Sequence, residues 1–278
     1  MVRMKKRIVA GLLTAFLYGG ECVAQSATPP SDTQLSKDVE NPITRTITVP
    51  LEYEADFFTG PSKLTNNTFE LDQAVVPFRL NNDWSLISRT KLPFVAQPPQ
   101  TLGGRWADGL TNGYTTFFLS PEHGRGFYWG VGPVLYFPTA TSMAVGNNKW
   151  GSGPSVAFVL QDNSPWVLAL VANNIWSFGG PAPVADRTNQ LLLNPTISYH
   201  FADGWSVSSS PSIAANWIAT GGQWTVPVGG GFGKVVRLGG QPVQLELDAY
   251  YNAIRPQAAN DTWLIQLTMT FIFAEPPR

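Results

Sequence analysis

The chain's last apolar segment, 263–273, reads WLIQLTMTFIF and alternates large apolar residues with smaller polar ones. Successive side chains of a β-strand point to opposite faces, so this pattern predicts a strand with one apolar and one polar face. The same alternation recurs in 43–58 and in 241–253. An alternating pattern over short segments, interrupted by turn residues, predicts an all-β chain.

Twelve strands are predicted, with boundaries accurate to a few residues. They cover 43–58, 68–80, 84–96, 112–120, 127–138, 152–161, 165–178, 189–201, 204–218, 223–235, 241–253 and 262–273. Tight turns alternate with longer connections, although the link at 219–222 is short and breaks the rule. The tight turns are 81–83, 121–126, 162–164, 202–204 and 237–240, and the clearest long loops are 98–112, 139–151 and 179–188. This layout predicts a closed antiparallel transmembrane β-barrel with short periplasmic turns and longer extracellular loops.

A large aromatic residue comes immediately after each of four tight turns. These residues are Trp84, Phe127, Trp166 and Trp205. In a barrel these rings would lie at one height, as an interfacial aromatic girdle requires. The alternative is that they begin ordinary core strands.

The composition of the polar faces indicates which side of the barrel is wet. A soluble β-protein should carry Lys and Glu on its polar face, but these strands carry mostly Ser, Thr, Asn, Gln and Tyr, as 206–216 shows best. We therefore expect lipid outside and water in the lumen. Prolines within the predicted strands oppose a regular ladder and require bulges. They are Pro50, Pro77, Pro93, Pro133, Pro154, Pro195, Pro211, Pro227 and Pro242.

Composition and termini support an exported membrane chain. Charged residues make up only 13% of the sequence and aromatic residues 12%, with ten Trp. Residues 1–24 have the basic start, apolar middle and small-residue end of a signal peptide, with cleavage expected after Ala24. The mature chain keeps 14 basic and 18 acidic residues, a net charge of −4, and has no Cys. This excludes disulfides and argues against nucleic-acid binding.

Three further boundaries follow from these patterns. We expect a short periplasmic segment at 25–42, the barrel at 43–273 and a C-terminal tail at 274–278. No mature segment has about 18 consecutive apolar residues, so no membrane helix is expected.

Seven segments together resemble a known family. They are NPITRTITVPLEYEADF, VVPFRLNNDWSLISRTKLPF, YWGVGPVLYFPTAT, KWGSGPSVAFVLQDNSPWVLALVANNIWSFGG, NQLLLNPTISYHFADGWSVSSSPSIAANW, WTVPVGGGFGKVVRLGGQPVQLELDAYYNAIRP and WLIQLTMTFIF, covering most of 41–273. The set is similar to the bacterial outer-membrane transporter proteins grouped with the MetA-pathway phenol-degradation proteins, often mislabelled neuromedin U. The resemblance implies an outer-membrane barrel with a presumed transport role and no catalytic residues.

The last strand carries the expected assembly signal, Phe271 and Phe273, which the barrel-assembly machinery would recognise. Such barrels usually end at the terminal aromatic residue, whereas here AEPPR follows Phe273. Recognition must therefore tolerate this tail.

Few residues point to catalysis. Ser198 and His200 share the lumenal face of one predicted strand, so a Ser–His dyad is geometrically possible; the alternative is a solvated lumenal His. His123 lies in a tight turn. No metal-ligand set or cofactor motif is present, and the glycines of 228–234 lie within a strand rather than between a strand and a helix. We expect no enzyme activity, metal or cofactor.

Charged residues on the inward faces are the stronger candidates for a functional site. The acids are Glu52, Glu54, Asp56, Glu246 and Asp248, and the bases are Arg79, Arg89 and Lys91. They could pair and stabilise or plug the lumen, or they could create a transverse field that orients a polar solute. Both roles can hold together.

These observations predict a passive outer-membrane channel for small molecules, with aromatic or moderately hydrophobic compounds as the class that the resemblance implies. The expected partners are outer-membrane lipid, the barrel-assembly machinery and a small solute, and no nucleic acid. Three alternatives remain open: a non-conducting structural or surface-interaction barrel, an outer-membrane hydrolase, and a soluble secreted β-sandwich.

Overall fold

The fold is taken from a computed structural model that describes residues 30–99, 101–180, 187–256 and 261–273. Helix α1 spans Asp32–Glu40. The strands are β1 Ile47–Thr59, β2 Leu64–Arg79, β3 Trp84–Gln97, β4 Ala107–Leu110, β5 Tyr114–Pro121, β6 Phe127–Tyr136, β7 Trp150–Gln161, β8 Trp166–Gly179, β9 Asn189–His200, β10 Trp205–Ser209, β11 Ile213–Asn216, β12 Trp224–Leu238, β13 Gln241–Ile254 and β14 Trp263–Phe273. No helix in these ranges is long and apolar enough to cross a membrane.

The strands close into an antiparallel barrel. Apart from β4, β10 and β11, each strand pairs with its neighbours along the chain, and β1 pairs with β14 to complete the circle. Strands β10 and β11 both pair with β9 on one side and with β12 on the other, so they form one wall position interrupted at 210–212. The barrel therefore has twelve wall positions, as predicted, and β4 is an extra strand beside β3, within the long loop predicted at 98–112. Closure gives each of the twelve wall positions a neighbour on both sides, which lipid requires.

The two faces of the wall have the polarity that the sequence predicts. On β14, Leu267 is 53% exposed on the outside, while Thr268 and Thr270 are buried on the inside. The register places Leu267 beside Tyr53 of β1, and Thr268 beside Glu52. Apolar side chains thus cover the exterior and polar side chains line the lumen, which confirms the interpretation of the alternating pattern.

Irregularities in the ladder accommodate only some of the strand prolines. Pro50 and Pro227 lie at register shifts, and Pro211 lies in the interruption between β10 and β11. Pro133 and Pro154 instead face each other across the β6–β7 pair. The pairing of β6 with β5 skips Pro133, and the pairing of β7 with β8 skips Pro154. Because proline has no N–H to donate, these gaps in the ladder reduce the number of carbonyl groups that lack a donor.

Glycines beside this proline pair allow the strands to approach closely. A Cβ at Gly153 would lie 1.6 Å from the carbonyl oxygen of Asn174, and one at Gly132 would lie 2.0 Å from that of Phe117. Only glycine avoids these overlaps, so the backbone contact depends on both residues.

Helix α1 lies within the predicted periplasmic segment and packs against the inner side of the barrel. The Ser31 side chain caps its N-terminus by accepting a hydrogen bond from the backbone N–H of Gln34. Leu35 is buried against Val235 and Ile272, whose side chains point inward. The helix contacts β8, β9, β10, β12, β13 and β14. It therefore occupies the lumen at the short-turn end.

Candidate functional site in the barrel lumen

Polar contacts from α1 and the segment after it hold this part of the chain in the lumen. Lys37 Nζ donates to the carbonyl oxygen of Asp162 at 3.1 Å and to that of Ser164, both in the turn between β7 and β8. Asn41 Nδ2 donates to Gln161 Oε1 at 2.7 Å. These bonds satisfy groups that would otherwise be buried without partners.

Charged contacts extend this attachment to other parts of the rim. Arg237 of β12 forms an ion pair with Asp32 at 2.7 Å. Arg45 donates to the carbonyl oxygen of Pro121, at the end of β5, at 2.6 Å and lies 3.5 Å from Glu122. The segment is therefore tied to both sides of the lumen.

A serine and histidine pair also meets the helix. Ser198 Oγ lies 2.9 Å from His200 Nε2, and Ser36 Oγ of α1 lies 2.9 Å from His200 Nδ1. All three side chains are buried. A catalytic histidine is normally oriented by a carboxylate at its second nitrogen, whereas here that nitrogen faces a hydroxyl group. This arrangement links the helix to the wall of the barrel. His123, the other histidine, is exposed in a turn.

The helix also carries a partly buried carboxylate. Burial raises the pKa of Asp38, while hydrogen bonds from Gln34, Thr46 and Gln161 act in the opposite direction. The bonds from Gln34 and Thr46 measure 2.8 Å and 3.1 Å. Neutral donors thus offset part of the cost of burying this charge.

One charged cluster joins β2 and β3. Lys91 Nζ lies 2.6 Å from Glu70 Oε1 and 3.0 Å from Asp72 Oδ1. The alternating pattern predicted a lumenal Lys91, and Glu70 and Asp72 are additional lumenal acids beside it. The signal was present, because Phe69 and Leu71 alternate with Glu70 and Asp72.

The acids of β1 are held by neutral neighbours. Gln266 Nε2 donates to Glu52 Oε1 at 3.2 Å and to Glu54 Oε2 at 2.7 Å. Thr268 donates to Glu52 Oε2 at 3.1 Å. The polar residues of the last strand therefore serve as hydrogen-bond donors to the predicted lumenal acids.

The two predicted arginines occupy different places. Arg79 is exposed and donates to the carbonyl oxygen of Asn81 and to Asn82 Oδ1, each at 3.2 Å, in the turn that follows β2. Arg89 lines an internal cavity, and its Nε is buried without a hydrogen-bond partner among the described residues. Only Arg89 therefore faces the middle of the lumen.

A second group of acids lies on β13 and at the end of α1. Glu246 accepts a hydrogen bond from Ser208 Oγ at 2.6 Å. Gln244 Nε2 lies 3.4 Å from both Glu246 Oε2 and Glu40 Oε1. Burial raises the pKa of Glu40 well above its usual value, and the carboxylates of Glu246 and Asp248 raise it further. Glu40 was not predicted, because its segment was assigned to the periplasm.

These groups surround a cavity of about 160 Å³ inside the barrel. Its charged lining includes Arg89, Glu52, Asp72, Glu40, Glu246 and Asp248. A second cavity of about 350 Å³ lies at the opposite end of the strands, where Asp56, Asn66 and Asp261 contribute to the lining. Asp56 accepts a hydrogen bond from Asn66 Nδ2 at 2.9 Å. In the part of the chain that the structure describes, no cluster of three His, Cys, Asp or Glu side chains is arranged to hold a metal ion.

Aromatic side chains lie at both ends of the wall. The four predicted girdle residues begin β3, β6, β8 and β10, and Phe127, Trp166 and Trp205 are each about half exposed. A second group, not singled out from the sequence, lies at the long-loop ends of strands. It includes Trp150, Trp176, Tyr251 and Trp263. Phe271 and Phe273, the predicted assembly signal, lie on the outward side of β14, opposite inward Ile272.

Together, the closed wall, the apolar exterior, the aromatic ends and the polar lumen define an outer-membrane β-barrel. Among solved structures, the chain is similar to the COG4313 outer membrane channel from Pseudomonas putida F1, with a TM-score of 0.63 and 15% identity, over 92% of this chain and 100% of that one. It is also similar to the NanC porin, with a TM-score of 0.50 and 10% identity, over 82% and 99%. Both likenesses concern the fold. No protein-family model matches the sequence, and no curated protein matches it.

Proposed function

We propose that this barrel is a passive outer-membrane channel for small molecules. The observation that supports the proposal is a polar lumen that holds an internal cavity lined by both acidic and basic side chains. Charged side chains along a pore tune which solutes pass. In the present arrangement α1 occupies the short-turn end, so we expect a narrow pathway that widens when the helix moves.

The solute class rests on the resemblance of the sequence motifs to the MetA-pathway proteins, which suggests aromatic or moderately hydrophobic compounds. Because the lumen is lined by charged side chains, a polar group on such a solute would have hydrogen-bond or ion-pair partners there. Small aromatic acids and amines therefore belong in the first panel of solutes, beside neutral sugars of similar size.

Reconstitution of the purified full chain tests the proposal. Planar-bilayer recording should give discrete conductance steps, and liposomes that contain the protein should swell faster in the solute panel than protein-free liposomes do. A folded, heat-modifiable barrel that gives neither steps nor swelling would favour the alternative, a non-conducting structural barrel.

A second candidate, a hydrolase, is favoured by one observation, the 2.9 Å contact between Ser198 Oγ and His200 Nε2. The exclusion of both side chains from solvent and the hydroxyl group at Nδ1 weigh against it. Incubation with radiolabelled phospholipid should release no fatty acid. Release that disappears in His200→Ala but persists in His123→Ala would support the hydrolase instead.

A further inference from the structure

Arg89 is a partly buried cation whose Nε has no hydrogen-bond partner among the described residues. Its Nε is shielded from solvent without a hydrogen-bond partner, and no ion pair joins it to an acid within the described residues. Its side chain lines the internal cavity. Because burial of an unpaired guanidinium group is unfavourable, an anion that entered the cavity and accepted hydrogen bonds from Arg89 would be stabilised there.

Glu40, Glu246 and Asp248 form what we call the acidic wall of the same cavity. Within the described residues none of the three forms an ion pair. Glu40 and Glu246 each lie 3.4 Å from the neutral amide of Gln244, and Glu246 also accepts a hydrogen bond from Ser208. Burial and the carboxylates of Glu246 and Asp248 raise the pKa of Glu40, so a cation beside the three acids would stabilise their ionised forms. This wall therefore has room for a cationic partner.

No ion pair within the described residues fills either position. Asp72, whose carboxylate attracts Arg89, forms its ion pair with Lys91. Lys91, the other cation lining the cavity, is bound by Glu70 and Asp72. Strands β2, β1 and β14 separate β3, which carries Arg89, from β13, which carries two members of the acidic wall. The unpaired cation and the unpaired acids thus stand on different parts of the wall and face a common space of about 160 Å³.

We propose that this cavity binds a small zwitterion, whose carboxylate pairs with Arg89 and whose ammonium group pairs with the acidic wall. A guanidinium group binds a carboxylate through two parallel hydrogen bonds, which suits the planar side chain of Arg89. A simple amine would leave Arg89 unpaired, and a simple carboxylate would meet the repulsion of the acids. The inference rests on the proposed channel function and narrows its solute class.

Calorimetric titration of the detergent-solubilised full chain tests this inference with three probes of equal carbon number: 4-aminobutyrate, butyrate and n-butylamine. We expect 4-aminobutyrate to bind at least about tenfold more tightly than either of the other two. Arg89→Gln should weaken it to the level of n-butylamine, and Glu246→Gln should weaken it towards the level of butyrate. Arg125→Gln is the matched control, because Arg125 is exposed in the turn between β5 and β6.

Two results would overturn the inference: equal affinity for 4-aminobutyrate and n-butylamine, or binding of 4-aminobutyrate that Arg89→Gln leaves unchanged. Each variant is first shown to be folded by its heat-modifiable migration on gels. Conductance of the same preparation separates the two proposals. A conducting barrel that does not bind 4-aminobutyrate contradicts only the zwitterion site, whereas binding without conductance contradicts only the channel.

Discussion

Lys91 Nζ lies 2.6 Å from Glu70 Oε1, and both side chains point into the barrel from neighbouring strands. Lys91 also reaches Asp72 at 3.0 Å, so one cation holds two carboxylates. Glu70 is only 3% exposed. The ionised form of so well buried an acid depends on its cationic partner, because water cannot reach the carboxylate to stabilise it if the cation is removed.

Replacing Lys91 should therefore destabilise the barrel. Lys91→Met removes the cation that both acids contact, and we expect the free energy of unfolding to fall by about 3 kcal/mol. Urea unfolding in detergent, followed by tryptophan fluorescence, measures the change. Lys63→Met, in the exposed hairpin between β1 and β2, should stay within about 0.5 kcal/mol of the native chain. Equal effects of the two substitutions would contradict the structural role of the cluster.

Loosening helix α1 should open the lumen. Leu35→Ala removes most of a side chain buried against Val235 and Ile272, and a large-to-small change of this kind costs about 2–5 kcal/mol of packing. We expect more frequent or larger conductance steps in planar bilayers. Leu102→Ala, at a leucine that is 80% exposed in the loop between β3 and β4, is the matched control and should conduct like the native chain. Unchanged conductance in Leu35→Ala would show that the helix does not limit the pathway.

If the apolar face contacts lipid, the cost of placing a charge on it should depend on the depth of that position in the bilayer. Leu267→Arg places a charge on the exterior near the middle of β14, which should cost about 2–4 kcal/mol of folding free energy in a bilayer. Phe127→Arg, at the turn end of β6, should lose only about 1 kcal/mol, since charges are tolerated near the interface. Equilibrium folding into liposomes compares the two variants. A smaller cost at position 267 than at position 127 would contradict a lipid-covered exterior.

Close contact between strands predicts an effect at a single glycine. In Gly153→Ala the new Cβ meets the carbonyl oxygen of Asn174, so the strands must move apart, at a cost of about 1–3 kcal/mol. Gly179→Ala adds the same methyl group in open space and should be nearly neutral. Thermal unfolding in detergent distinguishes them. Matching melting temperatures would mean that the strands have room to relax.

Much of the fold could be predicted because a barrel wall repeats one local rule. The apolar and polar alternation of 263–273 indicated the two faces, and the structure confirms outward Leu267 and inward Thr268. The first residues of β3, β6, β8 and β10 also agree with the predicted turns. The extra strand at Ala107–Leu110 was missed, because four residues in a long loop show no clear alternation.

The contacts within the candidate site could be predicted from the sequence only in part. Parity placed Arg89 and Lys91 in the lumen, but their partners depend on register, side-chain reach and the bulge between Leu71 and Ala74 of β2. Arg79 shares their predicted face, yet it bonds to the turn at 81–82. Arg79 differs from Arg89 and Lys91 because it lies at the end of its strand. The alternating pattern shows which face a residue occupies but not how far along the barrel axis it lies.

The sequence by itself determined that the chain forms short two-faced strands, because a strand's side chains alternate whatever surrounds it. Only the tertiary structure decided which charges are paired, because closure brings β14 beside β1 and thus Gln266 beside Glu52 and Glu54. It also decided that α1 lies in the lumen, where Glu40 joins Glu246 and Asp248 at one cavity. Contacts between residues some 200 positions apart depend on barrel closure, which no local pattern encodes.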